Sequence, residues 1–510
     1  MMDRWIDGLS MFAYAHVEVM IALSWVIFAS GLLQVLLHIA QLPSAWLELR
    51  QHSQAEDSES PWQLLVSDAA LPVSLIVPAS NEERVIVQSV QSMLALAYPD
   101  FEVIVVNDGS SDRTLARLIE VFELRPAVRA HELRLRHAPV RGLYRSRLHP
   151  RLIVIDKQSG GCKADAANAG INVARAPLFC VVDADSLLEA EALLRAVRPF
   201  MEDPGRMVVV GGTIRVINGS EVKAGRIHSL RLPKRFLPLV QTVEYLRAFL
   251  MARLALSRWG VLTIVSGAFG IFLRSVAIEA GGFSRGMVGE DMELVVKIHR
   301  LLLEQKRDYA MRYVPEPVCW TESPESLRLL GRQRTRWARG TLETFFKHSD
   351  MCLNPAYGRI GMAGFALILI IDVLGPMLEI MGYALIPLLY LAGVLSVPFM
   401  LAYIAVTFTF GVFISTATLI LEEMELCRVP RARDLCILAA AAVAENFGYR
   451  QINNVWRLIG WLQFLRKKRS WGRIKRKGFA PVSPPRISAP GSARDVFATA
   501  LEGKPRLARE

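Results

Sequence analysis

Phe179-Cys180-Val181-Val182-Asp183-Ala184-Asp185-Ser186 is the stretch on which the reading of the fold turns. Four apolar residues predict a short buried strand, and two carboxylates stand where that strand ends. Side chains at the carboxyl end of a parallel strand point into the crevice where α/β sheets bind ligands. Alternation along extended chain puts Asp183 and Asp185 on one side. Two hard oxygen ligands there suit Mg²⁺ or Mn²⁺, held through one or two carboxylates and a substrate's phosphates. The competing reading is a helix beginning near Leu187, capped by Asp185 or Ser186.

Working outward, the same pattern repeats. Strands are expected at Val73–Val77, Glu102–Val106, Leu152–Ile155 and Met207–Ile214. Helices are expected between them, at Glu83–Leu96, Arg113–Phe122, Ala164–Val173 and Leu188–Val197. Strand–helix alternation from Val73 to Trp320 predicts a layered α/β domain with a mostly parallel sheet. The segment Arg125–Arg151, rich in Arg and His, is expected to be an exposed excursion.

The strand ends carry the polar residues. Val77-Pro78-Ala79-Ser80-Asn81-Glu82-Glu83 follows the first strand and Asn107-Asp108-Gly109-Ser110-Ser111-Asp112 the second. Asp108 can accept a base N–H, and Gly109 lets backbone approach a ligand. Ordinary turn chemistry explains the same residues without a ligand. Glycines 160 and 161, with Lys163 opening a helix, form an anion site. No Walker loop and no G-x-G-x-x-G after a strand is present, which argues against dinucleotide binding. Ser266-Gly267-Ala268-Phe269-Gly270 is expected to bring small residues and one aromatic to the crevice. Glu290 and Asp291 open an apolar helix, where a helix dipole also favours acids. Gln333, Arg336 and Trp337 share one helical face.

Outside this domain the chain is apolar. Of its 510 residues 52% are hydrophobic, with a mean hydropathy of +0.29, and the excess is local. Val19–Leu37 is an uncharged run of 19 residues, and Ile380–Leu421 one of 42. At about 20 residues per crossing these make one span and two. The N-terminal run has no basic n-region and no small-residue cleavage site, so it reads as an anchor. Ile360–Glu379 and Leu435–Val443 could add two crossings or lie in the interface. Net charge is +12, but the basic residues flank apolar runs, notably Arg466–Arg469 and Arg473–Lys477. That pattern fits a cytoplasmic membrane face rather than nucleic acid. A helix from Ser323-Pro324 to Phe346, with five arginines among apolar residues, is expected on the bilayer surface. The six cysteines lack metal spacing and read as free thiols of a reducing compartment.

These readings divide the chain into an anchor (1–41), a linker (42–72), an α/β domain (73–322), an interfacial helix region (323–358), membrane and interfacial helices (359–465) and a basic tail (466–510), disordered in its Pro- and Ser-rich part.

Together, Asn107-Asp108-Gly-Ser-Ser-Asp112, Asp183-Ala-Asp185, Gly289-Glu-Asp291 and Gln333-x-x-Arg336-Trp337, in that order, resemble the membrane-embedded processive glycosyltransferases of family 2. That group includes cellulose, chitin, hyaluronan and poly-N-acetylglucosamine synthases. The resemblance runs from Val73 to Phe479 and is strongest to the bacterial poly-N-acetylglucosamine branch, including Glu445–Gln451 and Trp471–Phe479. It implies a GT-A-like nucleotide-sugar domain joined to transmembrane helices. It implies that Ala79, Glu82 and Asp108 bind the donor nucleotide, and that Lys163, Gln333 and Arg336 hold its diphosphate. Asp183 and Asp185 would engage the donor and a Mg²⁺ or Mn²⁺ ion, and Asp291 would be the general base. Trp337, Phe269 and Gly270 would contact the acceptor. Ser80 stands where the family often has Tyr, and Cys162 is an extra residue before Lys163.

The implied reaction polymerises a UDP-sugar, UDP-N-acetylglucosamine or UDP-glucose, into a β-linked glycan at a bacterial inner membrane. The catalytic domain would be cytosolic, with accessory export or regulatory subunits as partners besides the bilayer. A single transfer to a lipid acceptor is the alternative enzyme reading. A nucleotide-sensing membrane protein without catalysis is the third, and the full set of acidic motifs argues against it.

Overall fold

The computed structural model describes residues 16–58, 70–223, 225–426 and 431–467. Expectations for residues 1–15 and for the tail from 468 onward fall outside the described residues.

The strands are β1 (Val73–Ala79), β2 (Phe101–Asp108), β3 (Leu124–Pro126), β4 (Val140–Ser146), β5 (Leu152–Lys157) and β6 (Leu178–Val181). They continue with β7 (Leu187–Leu188), β8 (Met207–Val216), β9 (Glu221–Lys223), β10 (Arg226–Ser229), β11 (Gly270–Leu273) and β12 (Ala310–Thr321). All but the β9–β10 hairpin join one ten-stranded sheet in the order β3-β4-β5-β2-β1-β6-β11-β8-β12-β7. Its centre, β5-β2-β1-β6, is parallel, as is β8 with β12. Strand β11 lies antiparallel between β6 and β8, and the outer strands β3, β4 and β7 also pair antiparallel. The strand order reverses at β1, the position where such sheets open a ligand crevice at their carboxyl ends.

Leu187–Leu188 is a strand rather than the start of a helix, so Asp185 and Ser186 cap nothing there. Arg125–Arg151 is no simple excursion either, because β4 extends the sheet edge beside β5.

Helices α1 (Val17–Ser58), α2 (Ile86–Leu94), α3 (Thr114–Phe122), α4 (Lys163–Val173) and α5 (Ala192–Glu202) come first. Next are α6 (Phe236–Tyr245), which runs through a π-helical turn at Leu246–Ala252 into α7 (Arg253–Arg258), and α8 (Arg274–Glu279). Helices α9 (Glu290–Glu304), α10 (Leu327–Lys347), α11 (Gly375–Leu391), α12 (Val397–Leu426), α13 (Ala432–Ala444) and α14 (Tyr449–Leu465) follow. A short helical turn at Phe365–Leu367, between π-helical stretches, leads into α11. The period of two along β1 sorts the helices onto two faces. Val73, Leu75 and Val77 pack with Val90 and Met93 of α2, Leu118 of α3 and Leu193 of α5. Ile76 packs on the other face with Ala166 and Ala169 of α4 and Leu294 and Ile298 of α9.

Among the described residues three helices are long and apolar enough to cross a membrane: Val17–Gln54, Ile360–Leu391 and Met400–Met424. The second and third divide the apolar region differently from expectation. Ile360–Glu379 belongs to the first of that pair, whereas Leu435–Val443 lies in α13, outside all three. The stretch expected to be a linker is helical as far as Ser58. There α1 docks on the α/β domain through Ala45 and Leu49, which are buried, and His52, bonded to Glu316 at 2.5 Å.

Candidate active site

Loops at the ends of β1 and β2 are latched together. Asn81, with φ at 60°, accepts from the amides of Ser111 and Asp112 at 2.8 and 3.2 Å. The Glu82 amide donates to the Thr114 hydroxyl at 2.9 Å. Gly109 has φ at +63°, and a Cβ there would lie 2.8 Å from the Ser159 nitrogen, so glycine serves both its conformation and its close approach. The Ala79 side chain belongs to the core, which leaves only its main chain for the crevice.

Lys157, which the sequence did not single out, organises this wall. It is fully buried, pairing with Asp108 at 2.5 Å and Asp165 at 2.6 Å. A buried ammonium needs such partners, and the two carboxylates supply them. Asp108 also accepts from the Gly160 amide at 2.9 Å. The carboxylate expected at the donor base is thereby fixed before any ligand arrives.

The opposite wall gathers the acids around one cation. Lys163, the first residue of α4, donates to Asp183 at 2.5 Å and to the Gly267 carbonyl at 2.6 Å. The Gly267 amide in turn donates to Asp291 Oδ2 at 2.9 Å, and the Met292 amide to Asp291 Oδ1 at 2.9 Å. A Cβ on Gly267 would stand 3.1 Å from Asp291 and 3.2 Å from the Lys163 ammonium. Lys163, Ser266, Gly267, Gly270, Glu290 and Asp291 line one cleft. Burial works to lower the Lys163 pKa, but Asp183, Glu290 and Asp291 together raise it. Strand β6 ends at Val181, so Asp183 and Asp185 lie in a turn, closed by the Ser186 amide on the Asp183 carbonyl at 3.0 Å. They are not on the extended chain whose alternation was expected to set them on one side. Asp185 is nearly buried, at 4% exposure.

Glu290 and Asp291 differ. Glu290 is 6% exposed, and its Oε2 is buried without a hydrogen bond. Burial and then the Asp291 charge push its carboxyl up to about 8. Gly270 belongs to the cleft as expected, but Phe269 does not. Its ring is fully buried in the core, so it contacts no acceptor.

Helix α10 closes the site from one side. It is capped by Ser326, which accepts from the Leu329 amide. Ser323, where the helix was expected to begin, lies outside it and bonds Asn218. Nor does α10 present all its arginines to a surface. Arg334 and Arg339 are buried, and Arg334 pairs with Glu244 at 2.6 Å. One side of the helix packs on α14, where Gly331 meets Trp456 and Gly460 meets Ala338. The other meets the Glu290–Asp291 turn. A Cβ on Gly340 would lie 2.8 Å from Gly289, and Glu343 accepts from the Val288 amide at 2.8 Å. Gln333, Arg336, Trp337 and Gly340 follow at i, i+3, i+4 and i+7, one face of the helix. Gln333 Oε1 is buried without a hydrogen bond. Trp337 is 37% exposed, with the Arg334 guanidinium 4.3 Å over its ring.

Among the described residues no group of three or more His, Cys, Asp or Glu could hold a metal by itself. Asp183 and Asp185 supply two carboxylates, and the Lys163 contact demonstrates that Asp183 takes a cationic partner. That donor set fits an ion of the Mg²⁺ type, which completes its shell with phosphate and water oxygens.

The glycosyl transferase family 2 model matches residues 74–281, and the glycosyl transferase family group 2 model matches residues 178–416. Poly-beta-1,6-N-acetyl-D-glucosamine synthases of Staphylococcus epidermidis and Staphylococcus aureus are 27% and 28% identical over 275 residues. Those residues are 54% of this chain and 56% of each relative, so the match spans about half their length. Among solved structures, mannosyltransferase PcManGT from Pyrobaculum calidifontis, in complex with GDP-Man and Mn²⁺, is similar at 18% identity and a TM-score of 0.46. It covers 88% of this chain and 99% of its own. Staphylococcus aureus TarS 1-349 in complex with UDP-GlcNAc is similar at 15% identity and a TM-score of 0.36, covering 75% and 92%. The chain thus carries glycosyl transferase family 2 domains, whose two matches run from residue 74 to residue 416 over the parallel-centred sheet whose crevice gathers the acidic motifs.

Proposed function

We propose that the chain is an inverting, processive glycosyltransferase that polymerises UDP-N-acetylglucosamine into a β-linked polysaccharide and passes it outward through its own membrane helices. The convergence of Lys163 and Asp291 on Gly267, with Asp183 on the same ammonium, carries the reading. It brings a cation for a leaving diphosphate within one residue of a carboxylate for an acceptor hydroxyl. The names of the staphylococcal relatives support N-acetylglucosamine over glucose. The apolar helices support a bacterial inner-membrane location with the α/β domain in the cytosol.

In this mechanism Asp291 takes the acceptor hydroxyl proton, held in position by the Gly267 and Met292 amides. The hydroxyl oxygen attacks the anomeric carbon opposite the diphosphate, so an α-linked donor gives a β-linkage. Lys163, Gln333 and Arg336 hold the diphosphate, with Asp108 and the main chain of Ala79–Glu82 at the uracil. Trp337 offers an aromatic platform to the terminal sugar. Asp183 and Asp185 would hold a divalent ion, which would neutralise charge on the leaving diphosphate.

A donor screen on purified protein in detergent tests this, reading UDP release and product composition together. The expected result is UDP release with N-acetylglucosamine and a product of many sugars. Release with that donor but only single-sugar products would replace polymerisation with a single transfer.

A further inference from the structure

Helix α4 has a second concavity at its far end. It begins at Lys163 in the cleft and, at 1.5 Å per residue, ends about 16 Å away. There Asn172 and Val173 face a groove of about 550 Å³. Arg134, Arg175, Arg274, His131, Glu132 and Ser275 also line it. The groove sits at the amino end of β6, whereas Asp183 follows that strand's carboxyl end. It is therefore separate from the cleft, although α4 and β6 reach both.

The charges in the groove do not balance. Glu132 is held by Arg134 at 2.5 Å, and nearby Glu102 by Arg129 at 2.7 Å. Neither Arg175 nor Arg274 forms an ion pair among the described residues. Arg274 spends its Nε on the Ile171 carbonyl at 3.0 Å, and its terminal nitrogens form no hydrogen bond among the described residues. Burial, and then the facing charge of Arg134, holds the Arg274 pKa below its usual value, with Arg129 adding to this and Glu102 and Glu132 opposing. Three guanidinium-bearing side chains, Arg134, Arg175 and Arg274, line one concavity, and a multivalent anion there would offset their charge. Their planar forks match phosphate oxygens in pairs. The volume lies within the range of small-molecule sites.

We propose that this groove is a second binding site, for a phosphate-bearing small molecule, with Arg175 and Arg274 as its anion-binding side chains. A soluble phosphoester and a phospholipid headgroup share that chemistry.

The probe is radiolabelled inorganic pyrophosphate, bound at low salt to the full chain in detergent. Comparison is between the wild type, Arg175→Ala and the double variant Arg175→Ala/Arg274→Gln. The wild type is expected to bind pyrophosphate at the groove in addition to the cleft. The double variant should lose the groove component, weakened about tenfold or more, while its UDP affinity stays at the wild-type value and so reports an intact cleft. Arg175→Ala changes an exposed side chain and should show part of the loss even if the double variant folds poorly. Equal stoichiometry and affinity in all three proteins would overturn the proposal. Failure of the proposed donor site would appear elsewhere, as unaltered UDP binding in Arg336→Ala. Nanodiscs then separate the two sources. Displacement of groove-bound pyrophosphate by phosphatidylglycerol, but not by phosphatidylcholine, assigns the site to a headgroup, and its absence assigns the site to a soluble phosphate.

Discussion

Glu290 and Asp291 are adjacent carboxylates in different surroundings, and the difference divides their roles. Asp291 is oriented by two amides at the cleft, while Glu290 is buried with one oxygen unbonded. Burial and the Asp291 charge push Glu290 up to about 8, which favours its protonated form, whereas Asp291 is the carboxylate that two amides aim at the cleft. Asp291→Asn is therefore expected to lower transfer by about 10²–10⁴ with UDP affinity retained, and Glu290→Gln to lose less. Comparable rates in Asp291→Asn and wild type would remove Asp291 from that role. The same shift has a consequence for stability. A glutamate ionises near 4.5 in the unfolded chain and near 8 here, so the folded state retains a proton across that window. Its contribution is complete below 4.5 and is lost as pH rises toward 8. Glu290→Gln stays neutral throughout, so its melting temperature relative to wild type should climb between pH 5 and pH 8. Parallel pH profiles would contradict this. Asp185→Asn should weaken Mn²⁺ binding, read by electron paramagnetic resonance, and lower transfer by about 10²–10³. Full Mn²⁺ binding in that variant would place the ion elsewhere. Asp183, Asp291 and Lys163 were legible because short motifs mark them at strand and helix ends. Lys157 was not, because a lysine in isolation reads as solvated and its burial depends on Asp108, 49 residues away.

At the scale of elements, α10 matters for what it presses against. Its contact with Gly289 leaves no room for a side chain on either glycine, so the helix face bearing Gln333, Arg336 and Trp337 is held against the turn that carries Asp291. Gly340→Val is expected to push the two apart. A displacement of about 1 Å in such a site can cost on the order of 10² in rate. UDP release should fall to that extent, while the far-UV spectrum and α14 packing are kept. Unchanged turnover would mean that α10 does not position the turn. The sequence revealed the central strands, whose apolar runs end in polar motifs, and most helices of the two layers. It did not reveal β12 as a full partner of β8, because that pairing carries three register shifts. Phe269 was misread for a physical reason as well. Just before β11 the ring turns into the core, and the glycines beside it face the cleft. The arginines of α10 suggested a bilayer surface, but a helical wheel cannot reveal that Glu244 and Tyr449 meet on one side of it.

Across the whole molecule, the α/β domain is tied to the apolar helices by charge as well as by packing. Arg215 on β8 pairs with Glu422 near the end of α12, and Arg247 in the π-helical turn pairs with Glu445 after α13. Glu422 and Glu445 are completely buried, and the Arg215 side chain is 8% exposed. None of this was visible in the sequence, where Glu422 only ends an apolar run and Arg215 lies 207 residues earlier. Burying two charges costs several kcal/mol per ion, and their attraction roughly offsets that cost only while both are present. The pair therefore fixes how β8 meets α12 more than it adds to stability. Glu422→Ala strands a buried guanidinium and is expected to destabilise the protein by about 3–5 kcal/mol. Arg215→Met should cost a similar amount by stranding the carboxylate. The double variant Arg215→Met/Glu422→Leu strands neither, and well-packed apolar replacements of a buried pair are often neutral. Thermal unfolding in detergent closes this cycle. The double variant should melt close to wild type, well above either single variant. If it melts at the sum of the two single losses, the two side chains act independently and the pair does not join the domain to the apolar helix.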